Sequence, residues 1–259
     1  MNPSTPRDVP ASRRIPWHRP LRWLVAGWHD FVAVGVPSLV HGVLAMVGGW
    51  MIAGVTLLYW PLLPGAVTGF VLIAPILATG LYALSRARDA GASATFEAVV
   101  VTWRRGTRPL VWLGVLLLAA ATAWVVASTL LFTLFVRAEV HTPLEFLRYA
   151  LVGQGTLPFL LWLLLGGLGA SVVFAVTAVS PPLLLERDMP LRIALLASVR
   201  AVGDNPVAMG FWATLIMLAT TASLASGFLG FVVMVPVLGH ATWHASRDLV
   251  EADGWPPRR

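Results

Sequence analysis

His240 and His244 stand four residues apart in a segment that reads GHATWHASRDLV from 239 to 250. On a helix that spacing puts both imidazoles on one face, an arrangement metal-ligating histidine pairs use. His41, near the start of the first long apolar segment, is the third histidine that can join them. These three residues are the candidates for a haem or metal centre with a redox role. The competing reading is that His240 and His244 bond to loop backbone, to Asp248 or to lipid headgroups. Arg86 and Arg247 each follow a serine at the end of an apolar segment. An arginine there complements the helix dipole and anionic lipid. With Trp243 they outline a second candidate: a ligand or lipid-headgroup pocket made by His240, His244, Arg247, Arg86 and Trp243.

Other chemistry is missing from the 259 residues. There is no cysteine, hence no thiolate ligand or thiol nucleophile. No phosphate-binding glycine loop, HExxH or GxSxG pattern occurs. No catalytic residue and no cofactor is assigned, and the chain reads as a non-enzyme.

What must position these groups is a membrane. Six stretches at 37–60, 62–84, 110–136, 157–180, 207–225 and 227–245 contain no Asp, Glu, Lys or Arg. Each is near the ~20 residues a helix needs to cross a ~30 Å hydrocarbon core. Only 12% of the chain is charged, about half the share usual in soluble domains, so no separate soluble domain fits beside the spans. The expected fold is an all-α, polytopic transmembrane bundle of six spans arranged as three hairpins.

All eighteen basic residues are arginine, and their placement sets orientation. Five lie before the first span, five between the second and third, three between the fourth and fifth, and three after the sixth. Only Arg137 and Arg148 fall on the other side. The positive-inside rule then puts both termini in the cytoplasm of a bacterial inner membrane. The net charge of +6 is explained by topology, without nucleic acid. Residues 1–20 lack the apolar core of a signal peptide. Residues 1–16 and 251–259 read as disordered cytoplasmic tails around one domain, 17–250.

Each hairpin is preceded by an amphipathic interfacial helix, at 20–34, 94–105 and 191–202. In the first, Leu21, Leu24, Trp28 and Phe31 recur at helical spacing, with Arg19, Arg22, His29 and Asp30 on other faces. Ser93 is the expected N-cap of the second. Each helix ends in a glycine, followed by a proline that opens the next span: Gly35 and Pro37, Gly106 and Pro109, Gly203 and Pro206. The hairpins at 20–88 and 190–250 repeat each other. Gly69, Phe70, Pro75, Leu77, Tyr82, Ser85 and Arg86 correspond to Gly230, Phe231, Pro236, Leu238, Trp243, Ser246 and Arg247 at one constant offset. The outer loop at 137–156 is expected to carry a short helix. Small-residue pairs such as Gly65 with Gly69 suit close helix packing.

The GHATWHxxRDL block, with PPLLLERD at 181–188 and PLRWL at 20–24, resembles a family of uncharacterised bacterial integral membrane proteins, known as a domain of unknown function. The resemblance spans about residues 20–250 and implies a multi-pass membrane protein without an assigned activity. The residue pattern adds a function expectation. It is a non-enzymatic accessory, assembly or organising protein acting through its Arg/Trp-rich cytoplasmic face. Its partners are membrane lipids and a membrane protein, with oligomeric state open. The alternatives are a transporter or channel for a small neutral or lipid-like solute, and a haem- or metal-binding redox subunit through His240 and His244.

Overall fold

The computed structural model describes residues 9–56, 58–135, 145, 148–149 and 155–258. The expected outer-loop helix lies outside the described residues. Among the described residues the chain is all-α apart from two two-residue strands. Among the described residues four helices are long and apolar enough to cross a membrane: α2 (Val36–Thr56), α7 (Arg108–Phe135), α8 (Thr156–Thr177), which with α9 (Ser180–Glu186) makes one apolar stretch, and α11 (Pro206–Ala225). Most of their side chains are apolar and exposed, which a water-soluble chain does not tolerate over such areas.

The other two expected spans behave differently from each other. The segment 62–84 is broken into α3 (Leu63–Leu72), α4 (Ala74–Leu77) and α5 (Thr79–Asp89). Pro75 lacks an N–H and crowds the preceding turn, so the helix stops and restarts there. The equivalent Pro236 sits inside an unbroken helix, α12 (Phe231–Leu249). Pro236 leaves the carbonyl of Val232 without its helical partner, and Gly42 of α2 packs against that carbonyl.

Three shorter helices lie at the arginine-bearing end: α1 (Arg19–Val34), α6 (Phe96–Arg104) and α10 (Leu191–Asp204). Thr95, not Ser93, caps α6 by accepting from the Ala98 N–H. Of the three expected stop glycines, Gly35 alone takes a positive φ, 66°. Gly203 stays inside α10, because Asn205 performs the stop, donating to the Ala201 carbonyl and to the Arg13 carbonyl.

The chain forms two compact units. Unit 1 comprises residues 1–46, 75–114 and 174–259. At its centre α5, α9 and α12 touch one another, with Leu81, Tyr82, Leu84, Leu185 and Trp243 buried between them. Around them α6 packs on α5, α10 on α9, and α1 on α12. Each surface helix therefore covers the returning helix that precedes it, and the first covers the last.

The faces of α1 correct the sequence expectation. Pro20, Trp23, Gly27 and Asp30 point inward, whereas Leu21, Val25, Trp28 and Val32 are exposed. Gly27 is the reason for the inward choice. A Cβ there would lie 2.5 Å from the Val237 carbonyl oxygen and 2.7 Å from the Ala241 nitrogen, so only glycine lets α1 seat on α12.

The tails are corrected too. Ala11–Ser12 (β1) pairs antiparallel with Val250–Glu251 (β2). Residues up to Arg258 run back along the end of α9, with Asp188 N–H donating to the Pro256 carbonyl and Arg258 N–H to that of Glu186. Among the described residues, backbone pairing orders 11–13 and 250–258 where composition alone read as disorder, and residues 1–8 and 259 lie outside the described residues.

Unit 2 comprises residues 47–74 and 115–173. It is held by small residues and indole donors. Gly65 and Gly69 of α3 pack on Ser128 and Val125 of α7. The Trp124 N–H donates to Thr68 Oγ1 and the Trp162 N–H to Ser128 Oγ, both at 2.7 Å. Threonine and serine hydroxyls here mostly bond to carbonyls one turn back, as at Thr68, Thr129 and Ser171, which satisfies them without water.

Replacing Gly27 or Gly42 by alanine should destabilise the folded protein by about 1–3 kcal/mol, because the obstructing atoms are backbone. Gly210→Ala, where nothing lies within 4 Å, should be neutral or stabilising by up to about 1 kcal/mol. Thermal unfolding in detergent checks this, and equal melting temperatures for all three would refute the close approach.

Candidate functional site: a buried carboxylate network in unit 1

Asp30 enters the core from α1 and is only 5% exposed. A carboxylate there is costly unless it is paired and hydrogen-bonded. It is both. Arg88 Nε of α5 donates to Oδ1 at 2.9 Å. Ser85 Oγ donates to Oδ2 at 2.5 Å, and His244 Nε2 of α12 lies 2.9 Å from the same oxygen. Burial pushes the Asp30 pKa up. Hydrogen bonds from His244 and Ser85 outweigh it and hold the group down at about 2.

The remaining proton positions follow from bookkeeping of donors. Ser85 has one hydroxyl proton, and an ionised Asp30 can only accept it. His240 Nδ1, 2.7 Å from Ser85 Oγ, must therefore carry a proton and donate it to that oxygen. In the neutral ring Nε2 is then the acceptor, and Ser38 Oγ of α2 lies 2.8 Å away to donate. The result is a directed chain from Ser38 to His240 to Ser85 to Asp30, closed at the far end by His244 and Arg88. Ser38, Ser85 and His240 are fully buried. Four helices, α1, α2, α5 and α12, meet in one polar cluster.

A second cluster ties the same helix pair. Arg19 of α1 donates to both oxygens of Asp248 at 2.6 and 2.9 Å, and Trp23 Nε1 donates to Oδ2 at 2.9 Å. Bidentate arginine–carboxylate pairs fix geometry as well as charge.

The expected site residues do not share one open pocket. His240 is the hub of the network and His244 its solvent-side edge. Trp243 is buried and donates to Asp89 at 2.7 Å. Arg86 donates to the carbonyls of Leu185 and Arg258, and Arg247 to the Glu186 carboxylate. His41 donates from Nδ1 to the Pro37 carbonyl, and its Nε2 is buried without a hydrogen-bond partner, against Gly80. Both ring nitrogens of His240 face serine hydroxyls, and among the described residues no group of three or more His, Cys, Asp or Glu side chains is placed to hold a metal. Asp30, Ser38 and Arg88 were missed by the sequence reading. The available signal was the 20, 23, 27, 30 spacing, which puts Asp30 on the face of Gly27.

These features define an all-helical integral membrane protein with a polar, ordered cluster at one end of its bundle. Within that class, residues 62–186 match the model of the family described as predicted integral membrane protein (DUF2189). The matched segment runs from the start of α3 to the end of α9 and stops short of the 239–250 block. No curated protein and no solved structure matches the chain.

Asp30→Ala should cost about 3 kcal/mol, since it strands Ser85, His240 and Arg88. Because the folded pKa of Asp30 lies below its ordinary value of 3.8, its contribution is complete above that value and declines as pH falls toward 2. Melting temperature measured from pH 7 to pH 2.5 should fall more steeply for the native protein than for Asp30→Asn. Parallel curves would show that Asp30 is not the paired group.

Proposed function

We propose that this is a non-enzymatic accessory protein of the bacterial inner membrane. It crosses six times as three hairpins, with both termini in the cytoplasm, and organises or assembles a membrane-protein partner through its Arg/Trp-rich cytoplasmic face. One observation carries the reading. Two polar clusters fasten α1 inward, and α1, α6 and α10 each keep an outward face that the described residues leave uncovered. Trp28 of α1, Trp103 of α6 and Leu196 of α10 are exposed. Arg22, Arg104 and Arg192 beside them are exposed and pair with no described residue. Aromatic and arginine side chains together are the composition that binding hot spots favour, and arginine near a bilayer also attracts anionic lipid. A rigid platform presenting such groups suits docking, because little ordering cost remains at binding.

Six crossings are supported by segment length. The six charge-free stretches are each near spanning length, and four of them hold helices long and apolar enough to cross among the described residues. The sixteen-to-two arginine asymmetry supports placing that end in the cytoplasm.

A photo-crosslinking residue placed at Trp28 or Trp103 in native membranes should capture one defined protein at stoichiometric yield. Arg22→Glu or Arg104→Glu should reduce that capture at least about fivefold, roughly the loss of 1 kcal/mol. Adducts with lipid alone would sink the organising role. A reporter fused to the C-terminus should be active only as a cytoplasmic fusion.

A further inference from the structure

One opening at the arginine-bearing end of unit 1 is used by none of the clusters described above. It is a cavity of about 420 Å³ between the α6–α7 turn and the C-terminal segment, lined by Arg105, Thr107, Asp188, Pro256, Pro257 and Arg258. That volume suits a small polar ligand. The 130 Å³ cavity beside Arg13, Arg187 and Arg247 is a weaker candidate, because Glu251, Asp253 and Glu186 already pair with those arginines.

The charges of the larger cavity are not balanced. Arg105 is exposed and pairs with no described residue. Arg258 is drawn inward, with its side chain 15% exposed, and its Nε is buried without a partner. Burial pushes its pKa down, Asp188 offsets part of that, and the neighbouring Arg86 adds to it. Asp188 lies 3.3 Å away but is 75% exposed, and so exposed a pair contributes little. An inward arginine beside another arginine calls for an anion.

The floor supplies further donors. The cavity meets the N-terminus of α7, a 28-residue helix. Thr107 Oγ1 accepts from the Leu110 N–H, which leaves its hydroxyl proton free to donate. Pro109 has no N–H, and the Arg108 N–H has no acceptor in the first turn. Helix N-termini of this kind favour anions through both the free N–H groups and the dipole.

Depth selects among anions. α7 is a candidate span that begins at Arg108, so the cavity lies where a span meets the headgroup layer. Trp103 and Trp112, exposed on either side of the turn, are residues that mark that layer.

We propose that this cavity binds the phosphate group of an anionic phospholipid, with Arg105 and Arg258 as guanidinium donors and Thr107 as hydroxyl donor. Free inorganic phosphate offers the same oxygens, so the test separates the two. The site is distinct from the Asp30 network and stands whether or not a protein partner docks on this face.

The experiment is native mass spectrometry of the full chain in neutral detergent, supplied with phosphatidylglycerol or phosphatidylcholine, beside calorimetric titration with inorganic phosphate. The expected result is one retained phosphatidylglycerol, with little phosphatidylcholine. Arg105→Gln and Arg258→Gln should each weaken retention about tenfold, the loss of one charge-assisted contact. Arg14→Gln removes the same charge from an exposed position in the N-terminal segment that pairs with no described residue, and should leave retention unchanged. An unaltered melting temperature for Arg105→Gln confirms that the variant is folded. Phosphate binding that depends on Arg105 without lipid retention would overturn the lipid and leave a free-anion site. Equal loss in Arg14→Gln, or equal retention of both lipids, would overturn the site itself.

Discussion

The burial of one carboxylate organises unit 1. Asp30 sits on the inward face of α1, and a lone charge there would cost several kcal/mol. The chain meets that cost by converging α5 and α12 on the same point. Arg88 and Ser85 come from one, and His244, with His240 behind Ser85, from the other. Ser38 extends the chain of bonds into α2. Each polar group needs the others, so the four helices have one mutual register in which all are satisfied. Apolar packing alone tolerates sliding, whereas a directed hydrogen-bond chain does not.

Glycine makes that register reachable. Gly27 and Gly42 let α1 and α2 press against the backbone of α12, and Gly239 receives Leu81 of α5. Backbones that approach this closely bring short side chains such as Ser38 and Ser85 within reach of His240. The sequence repeat shows how specific the device is. Ser85 and Ser246 are equivalent by sequence, yet Ser85 joins the central network while Ser246 bonds back to the Trp243 carbonyl of its own helix. Local similarity reproduces the helix end, and the partners decide its use.

Unit 2 follows a different physics. Its helices bury little charge and are joined by small residues, stacked aromatics around Trp162 and indole N–H donors. In hydrocarbon there is no hydrophobic gain from bringing helices together, so close packing and satisfied donors must do it. In unit 1 the end helices are tied down by Arg19 with Asp248 and by the paired terminal strands.

The all-helical class, the several membrane-length helices and the positions of the three surface helices were legible from composition and periodicity. Hydropathy is a sum over some twenty neighbouring residues, so it survives without knowledge of the fold. The broken helix at Pro75 was half-legible, since proline marks a weak point but not whether the helix breaks there, and at Pro236 it runs on unbroken. The inward face of α1, the ordered tails and the joining of Asp30 to His244 were not legible. Asp30 finds Ser85 55 residues away and His244 214 residues away. By itself the sequence determined that these segments are helices suited to lipid and that arginine gathers at one end. Which acid is buried, which histidine nitrogen carries its proton and which arginines stay free were decided only in the tertiary structure. Those properties depend on which distant groups the packing brings within 3 Å.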